Sequence, residues 1–380
     1  VKIVYISSSA IPSRAANSIH VMKMCQAFAK NGHEVVLLAP DRKAEYEPSV
    51  GDCYEYYGVE KCFEIVKIPW LPLKGRGYIY GFLAARKAKE LSPDLVYCRN
   101  APGCYFAARF GQPVFFESHA PLEDAGKISD WMFRKIIKDP NLQKLVVITN
   151  ALKDYYEKNY PATRNKIQVA PDGADPIPPD IEPVVFPNAG KRLQVGYVGH
   201  LYRGRGIEHI ASLALACREW ADFHVVGGGQ DDLARCISEF SYIDNLYFHG
   251  FLPYVDAQNF RVGCDVLIAP YQEDISIAGL GKGNTLQWMS PLKIFEYMAA
   301  GKPIICTNFP VLREVLVDKK NALLCHFCSQ VEWIEALASI RDDSFLGKSL
   351  GENAYSDFIK KYTWGSRAQR LMSQPDKSLS

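Results

Sequence analysis

A chain of 380 residues, 48% hydrophobic and 23% charged, is too long for one compact core and predicts a globular protein of two domains. A formal net charge of only +2 argues against a protein held to nucleic acid mainly through phosphate contacts. Eleven cysteines without a repeating interval argue against a disulfide scaffold and predict free thiols in a reducing cytosol.

In chain order, "VKIVYISSSAIP" (1–12) has neither a basic start nor a long apolar stretch, so it predicts a buried strand rather than a leader. No run is long enough to cross a bilayer, and the expected location is cytoplasmic, with peripheral contact at the inner face of the membrane allowed. "KIVYIS" (2–7), "EVVLLAP" (34–40), "DLVYCR" (94–99), "PVFFES" (113–118) and "KLVVIT" (144–149) predict buried parallel strands. Between the first two, "NSIHVMKMCQAFAKNGH" predicts a helix burying Val21, Met24, Cys25 and Phe28 and closing at Gly32. The proline-rich "APDGADPIPPDIEPVVFP" (170–187) breaks this rhythm as a linker. Strands then resume at 193–200, 222–228, 245–251, 264–270 and 302–307, and a final helix is expected over 358–372. The pair Cys325 and Cys328 in "CHFC" lacks a second pair at zinc-knuckle spacing and predicts buried thiols.

The fold class is therefore α/β, with two doubly wound Rossmann-like domains whose strand C-terminal ends face a ligand cleft. The expected boundaries are 1–187 for the first domain with its linker, 188–355 for the second, and 356–380 for a helix returning to the first.

"SPLKIFEYMAAGKPII" (290–305) carries two charges at the start of an apolar helix. Ser290 suits the N-cap and Pro291 the first helical position, leaving the N–H groups of Leu292 and Lys293 pointing out of the end. With the Lys293 ammonium and the helix dipole they would form an anion site. Arg205-Gly206, opening a helix in "VGHLYRGRGIEHI", supplies a second cation, so a diphosphate is the expected ligand. Glu296, one turn deeper, suits a ribose diol. The plainer alternative is a Lys293–Glu296 helix pair worth about 0.2–0.5 kcal/mol.

Taken together the motifs resemble glycosyltransferase family 4, retaining nucleotide-sugar-dependent enzymes of the GT-B fold. "VGYVGHLYRGRGIE" is similar to that family's strand-loop-helix with Arg205-Gly206 in place of Lys-Gly. "FHVVGGGQDDL", "NLYFHGFLPYVDAQNFRVGCDVLIAPYQE" and the Glu296 helix resemble its second-domain elements. "HVMKMCQAFAKNGHEV", "FFESHA", "VVITNALKDYY…KIQVAPDGAD" and "YTWGSRAQRL" resemble its first-domain and C-terminal elements. The resemblance implies that Arg205, Lys293 and the Leu292 N–H bind the diphosphate, with Gly199 allowing close approach. It implies that Glu296 takes the ribose hydroxyls, that the Phe251 backbone meets the base, and that His119 lines the donor-sugar pocket.

It further implies retaining transfer from a nucleotide-sugar, expected to be a UDP-sugar, to a glycan, lipid-linked or small-molecule acceptor in polysaccharide or glycoconjugate synthesis. Arg205, Lys293 and His119 would be catalytic, no metal or other cofactor is expected, and no nucleic acid is a partner. Two departures stand out. Trp288 occupies the position where many members have a sugar-binding Glu, leaving Glu273 or Asp274 as the candidate sugar contact. Ala15-Ala16 replaces the Gly-Gly before the first helix. Arg14 and Arg99 are read as solvated or as contacts to an anionic acceptor. A GT-B sugar-nucleotide epimerase and a non-catalytic nucleotide-sugar-binding subunit are the competing readings. A dehydrogenase lacks its Gly-x-Gly-x-x-Gly, and a P-loop kinase is excluded because Gly283, not Ser or Thr, follows Lys282.

Overall fold

The computed structural model describes residues 1–48, 50–202, 204–273 and 286–373, so Asp274, Lys282 and Gly283 lie outside the described residues. The chain forms two compact units, Val1–Asp172 with Trp364 onward, and Gly173–Thr363.

In unit 1, strands whose residues are apolar toward both faces line up in parallel and are covered by helices on either side. The strands are β1 (Lys2–Ile6), β2 (Glu34–Pro40), β3 (Glu64–Ile68), β4 (Leu95–Cys98), β5 (Val114–Ser118), β6 (Leu142–Val147) and β7 (Ile167–Val169), in the spatial order β3-β2-β1-β4-β5-β6-β7. The helices α1 (Ala16–Lys30), α2 (Cys53–Tyr56), α3 (Arg76–Glu90), α4 (Ala101–Arg109), α5 (Lys127–Ile136) and α6 (Asn150–Asn159) belong to the same unit. Ile3, Val4, Tyr5 and Ile6 of β1 are wholly buried, as a central strand requires.

Unit 2 repeats the plan with β8 (Leu193–Val198), β9 (Ala221–Val226), β10 (Leu246–Gly250), β11 (Val266–Ala269), β12 (Ile304–Thr307) and β13 (Leu323–Cys325), ordered β10-β9-β8-β11-β12-β13 and all parallel. Its helices are α7 (Ile207–Ala216), α8 (Gln230–Glu239), α9 (Tyr254–Gly263), α10 (Leu292–Ala299), α11 (Gln330–Asp342) and α12 (Ser344–Lys361). In both sheets the strand order reverses beside the first strand, which is where open α/β sheets bind ligands.

Several expectations are revised. β3, β7 and β13 join the ten strands read from pattern. The helix expected over 358–372 is two: α12 stops at Lys361, and α13 (Trp364–Met372) is part of unit 1. The units divide at Asp172/Gly173 and Thr363/Trp364 rather than at 187 and 356. The proline-rich segment counts with unit 2 because Val184 N–H donates to Asn259 O at 3.1 Å and Phe186 stacks on His224 at 4.0 Å. Cys325 is buried on β13, but Cys328 is exposed, so only one of that pair is a core thiol. Among the described residues no helix is long and apolar enough to cross a membrane.

Candidate functional site

Each unit gathers charged side chains at the C-terminal ends of its strands. In unit 2, the chain leaves β8 at Gly199, and Gly206, with φ of +84°, opens α7. A methyl group on Gly199 would sit 2.6 Å from Lys293 Nζ and 3.1 Å from Tyr197 Oη, so a side chain here would displace the lysine from this strand end. Gly206 is pressed as closely on the Pro270 carbonyl, at 1.9 Å from an added carbon. These two contacts bring Arg205 and Lys293 to one place. Lys293 Nζ lies 4.0 Å from the Tyr197 ring centroid and 5.1 Å from that of Tyr271, while Arg205 is 5.8 Å from the same Tyr271 ring. Arg205 Nη2 donates to Tyr202 Oη at 2.9 Å.

Lys293 is half-buried as a residue, but its Nζ is buried and has no hydrogen-bond partner among the described residues; neither has Arg205 Nε. Burial, then Arg205, push the Lys293 ammonium well below the usual lysine range, outweighing Cys306 and Glu296. The same two cations follow burial in pushing His200 down to about 4, so it is neutral at pH 7. Two cations facing tyrosine rings are only partly compensated by cation–π attraction. An anion would complete the arrangement.

Helix α10 begins at Leu292, with Pro291 in the cap position and no side-chain cap. Ser290, the expected N-cap, therefore lies one residue before the cap, and Pro291 stands in the cap rather than at the first helical position. Pro291 O accepts from Ile294 N–H at 3.0 Å, and the first-turn N–H groups of Leu292 and Lys293 have no intrahelical acceptor. Tyr297 Oη fixes the helix against the sheet, accepting from Val198 N–H at 2.8 Å and donating to Ile268 O at 3.3 Å.

Glu296 is paired, but not with Lys293. Its Oε2 is 3.3 Å from Nη1 of Arg261, a residue of α9 that is 2% exposed. The alternative of a Lys293–Glu296 ion pair fails. A ribose diol would therefore meet a carboxylate already held by Arg261. Glu296→Gln is accordingly expected to lower nucleotide affinity and also to destabilise the free protein by about 1 kcal/mol, since Arg261 loses a charged acceptor. Calorimetric titration beside thermal unfolding checks both; unchanged stability would show the Arg261 pair to be idle. Phe251 is exposed just after β10, and Glu273 is exposed at the edge of the described residues.

In unit 1, Glu117 on β5 and His119 two residues later project to the same side. His119 Nε2 is 2.5 Å from Glu117 Oε1. Burial first and Arg99 next push His119 down to about 4, although Glu117 acts upward. The neutral ring therefore carries its proton on Nε2, donated to Glu117, and Nδ1 keeps a lone pair with no hydrogen-bond partner among the described residues.

Glu117 is the hub that pattern reading missed. It accepts from Tyr97 Oη and from Arg367 Nη2 at 3.1 Å, and His20 Nε2 stands 3.0 Å away. His20 Nδ1 in turn faces Asp172 Oδ1 at 2.9 Å. Arg367, wholly buried on α13, also donates to the carbonyls of Pro171 at 3.0 Å and Ala170 at 3.2 Å. Burial would raise the Glu117 carboxyl, but Arg367, His20 and His119 outweigh it and hold it well below the usual carboxylate range. Arg99, 3.7 Å from Glu117 and with its side chain 11% exposed, is part of this cluster and not a solvated surface group. Arg14 pairs with Glu47 through Nε at 2.8 Å.

His20, Glu117, His119 and Asp172 offer ligand atoms within 4.8 Å of one another, a spacing compatible with a metal ion. Their donor set fits one another better than it fits a dication. Glu117 Oε1 already accepts from His119 and Arg367, whose guanidinium would repel the ion.

The family described as Glycosyltransferase Family 4 matches residues 18–177, and that described as Glycosyl transferases group 1 matches residues 180–357. Two uncharacterized glycosyltransferases of Methanocaldococcus jannaschii are 26% and 27% identical over 179 and 146 residues. Those alignments span 46% and 38% of this chain but only 42% and 37% of the relatives, less than half of their length. Among solved structures, sucrose-phosphate synthase from Thermosynechococcus elongatus superposes with a TM-score of 0.71 at 15% identity, covering 97% of both chains. HepE from Anabaena in complex with UDP gives 0.70 at 14%, covering 98% of both. WaaG, a glycosyltransferase involved in lipopolysaccharide biosynthesis, gives 0.64 at 17%, covering 98% of this chain and all of that one. At these identities the structural likeness shows the fold alone.

Proposed function

We propose, from the match of both halves of the chain to glycosyltransferase family models, that this protein moves a sugar with retained anomeric configuration from a nucleotide-sugar to a hydroxyl acceptor. The observation that carries the reading is the Lys293 ammonium, buried beside Arg205 at the start of α10 without a hydrogen-bond acceptor among the described residues. A diphosphate supplies the missing charge. UDP is the proposed carrier, supported by its presence in the HepE complex.

Arg205, Lys293 and the Leu292 N–H hold the diphosphate, which Gly199 lets approach. Glu296, oriented by Arg261, accepts from the ribose hydroxyls, and the Phe251 backbone meets the base. His119 offers its Nδ1 lone pair to a hydroxyl of the transferred sugar, and Glu273 is the candidate for a second sugar contact. The bond from the anomeric carbon to the phosphate oxygen breaks while the acceptor oxygen bonds to that carbon on the same face. The acceptor proton passes to the departing phosphate oxygen, and the two cations stabilise the charge on the leaving diphosphate. The acceptor is proposed to be a glycan or lipid-linked sugar.

Incubation of the purified chain with labelled UDP-sugars and a panel of acceptors tests this. A labelled product of retained configuration is expected. Donor isomerisation without transfer would make it an epimerase, and donor binding without turnover a binding subunit. Because Arg205 and Lys293 already supply positive charge, turnover is expected to survive exhaustive chelation. Loss in EDTA that magnesium or manganese restores would overturn this charge assignment.

A further inference from the structure

Five aromatic rings from three neighbouring elements of unit 1 form a continuous chain. Phe110, just after α4, meets Phe82 of α3 at 6.0 Å between centroids, and Phe82 meets Phe106 of α4 at 5.3 Å. Phe106 then meets Tyr105 at 5.3 Å, and Tyr105 meets Trp131 of α5 at 5.5 Å. These rings are not core. Trp131 is 48% exposed, Phe82 40%, and Ile128, one turn before Trp131, 55%.

Three cations lie over the same chain. Lys89 stands 5.6 Å from Phe110, Arg109 5.7 Å from Tyr105, and Lys135 5.9 Å from Trp131. None of the three has an acidic partner among the described residues. The nearby acids are engaged elsewhere, Glu90 with Arg86 and Lys87 at 3.5 Å each, and Asp130 with Arg134 at 2.9 Å. Exposed apolar surface beside unpaired positive charge is costly to leave in water and suits one particular medium, the boundary between anionic headgroups and acyl chains.

We propose that this face of α3, α4 and α5 docks on an anionic lipid bilayer, with Lys89, Arg109 and Lys135 over lipid phosphates and Trp131, Ile128 and Phe82 in the interface. Tryptophan and tyrosine favour that depth because one end of the ring system is apolar and the other polar. Two other occupants fit less well. Single-stranded nucleic acid stacks bases on open ring faces. Here three of the four ring contacts are edge to face, at 87°, 70° and 73°, the fourth is tilted at 50°, and three of the rings are covered by cations. A second copy of the chain would bring the same three cations against themselves.

The inference stands independently of sugar transfer, since vesicle binding needs no donor. The full chain is sedimented with vesicles of phosphatidylcholine and phosphatidylglycerol, and with phosphatidylcholine alone. The protein is expected to pellet with the anionic vesicles and to be released by salt. The triple variant Lys89→Gln, Arg109→Gln and Lys135→Gln should bind about a hundred-fold more weakly, at roughly five-fold for each cation near the surface. Trp131→Ala should weaken binding at any salt concentration, and both variants should keep the parent's melting temperature. Equal pelleting of the triple variant overturns the proposal. So does release of the vesicles by a single-stranded oligonucleotide, or a parent dimer that the triple variant dissolves.

Discussion

Replacing Lys293 by methionine is expected to stabilise the free protein while weakening UDP binding by about a hundred-fold or more, the scale on which one partner of a buried charge pair is lost. The two effects share one origin. A lysine pushed far below its usual range holds its proton less readily when folded than when unfolded, where its value is ~10.4. Below both values the folded state bears the full cost of a buried ammonium. As pH climbs through the folded value toward ~10.4 that cost fades, because the unfolded chain then binds more protons than the folded one. The stability gap between variant and parent should therefore be widest in acid and close as the solution becomes alkaline. Methionine has similar length and contacts the Tyr197 and Tyr271 rings without charge. Unfolding curves across pH, set beside calorimetric titration with UDP, give both halves. A variant less stable than its parent would mean that Lys293 is a packing element, and a variant that binds UDP normally would remove it from the diphosphate.

Glu117→Gln should act in the opposite direction on stability. It leaves the wholly buried Arg367 without its anion, a loss on the order of 3–5 kcal/mol. For a unit of this size that corresponds to a fall of roughly 6–20 °C in melting temperature. The pH dependence follows from the depressed carboxyl. Its contribution is fully present above the unfolded value of ~4.3 and disappears as pH falls through the folded one, so the parent should lose stability steeply in acid and the variant less so. Sugar transfer should fall as well, because His119 loses the charged acceptor that fixes its proton on Nε2, and an amide can turn its NH2 toward that nitrogen instead. The double variant Glu117→Leu with Arg367→Met separates these effects. Removing both charges should restore much of the stability, yet transfer should stay low. Transfer that returns with stability would show that Glu117 only supports the fold and does not position His119.

The repeating strand-helix pattern was readable because central strands are apolar toward both faces. The three strands it missed, β3, β7 and β13, are all at sheet edges. There only one flank is paired, so "EIVKI" is partly exposed and "IQV" is only three residues long. Arg205 and Lys293 could be picked out because cations at the starts of apolar helices contradict their surroundings, and the structure brings both to the Tyr271 ring. Glu117 stayed hidden inside the apolar "FFES", since nothing local showed where its counter-charge came from. Arg367 looked like an ordinary polar residue in "GSRAQRL". Arg261, likewise, could not be matched to Glu296, 35 positions away, until the fold was known.

The Glu117–Arg367 pair joins residues 250 positions apart in sequence. During synthesis, the first sheet can assemble while its central carboxylate still lacks its counter-ion. Everything from Gly173 to Thr363 must be translated before α13 arrives, and α13 also packs on α1. Unit 2 is contiguous and has all of its own strands by then. It can close first, leaving the earlier-made half to finish last and exposed to chaperones for longer.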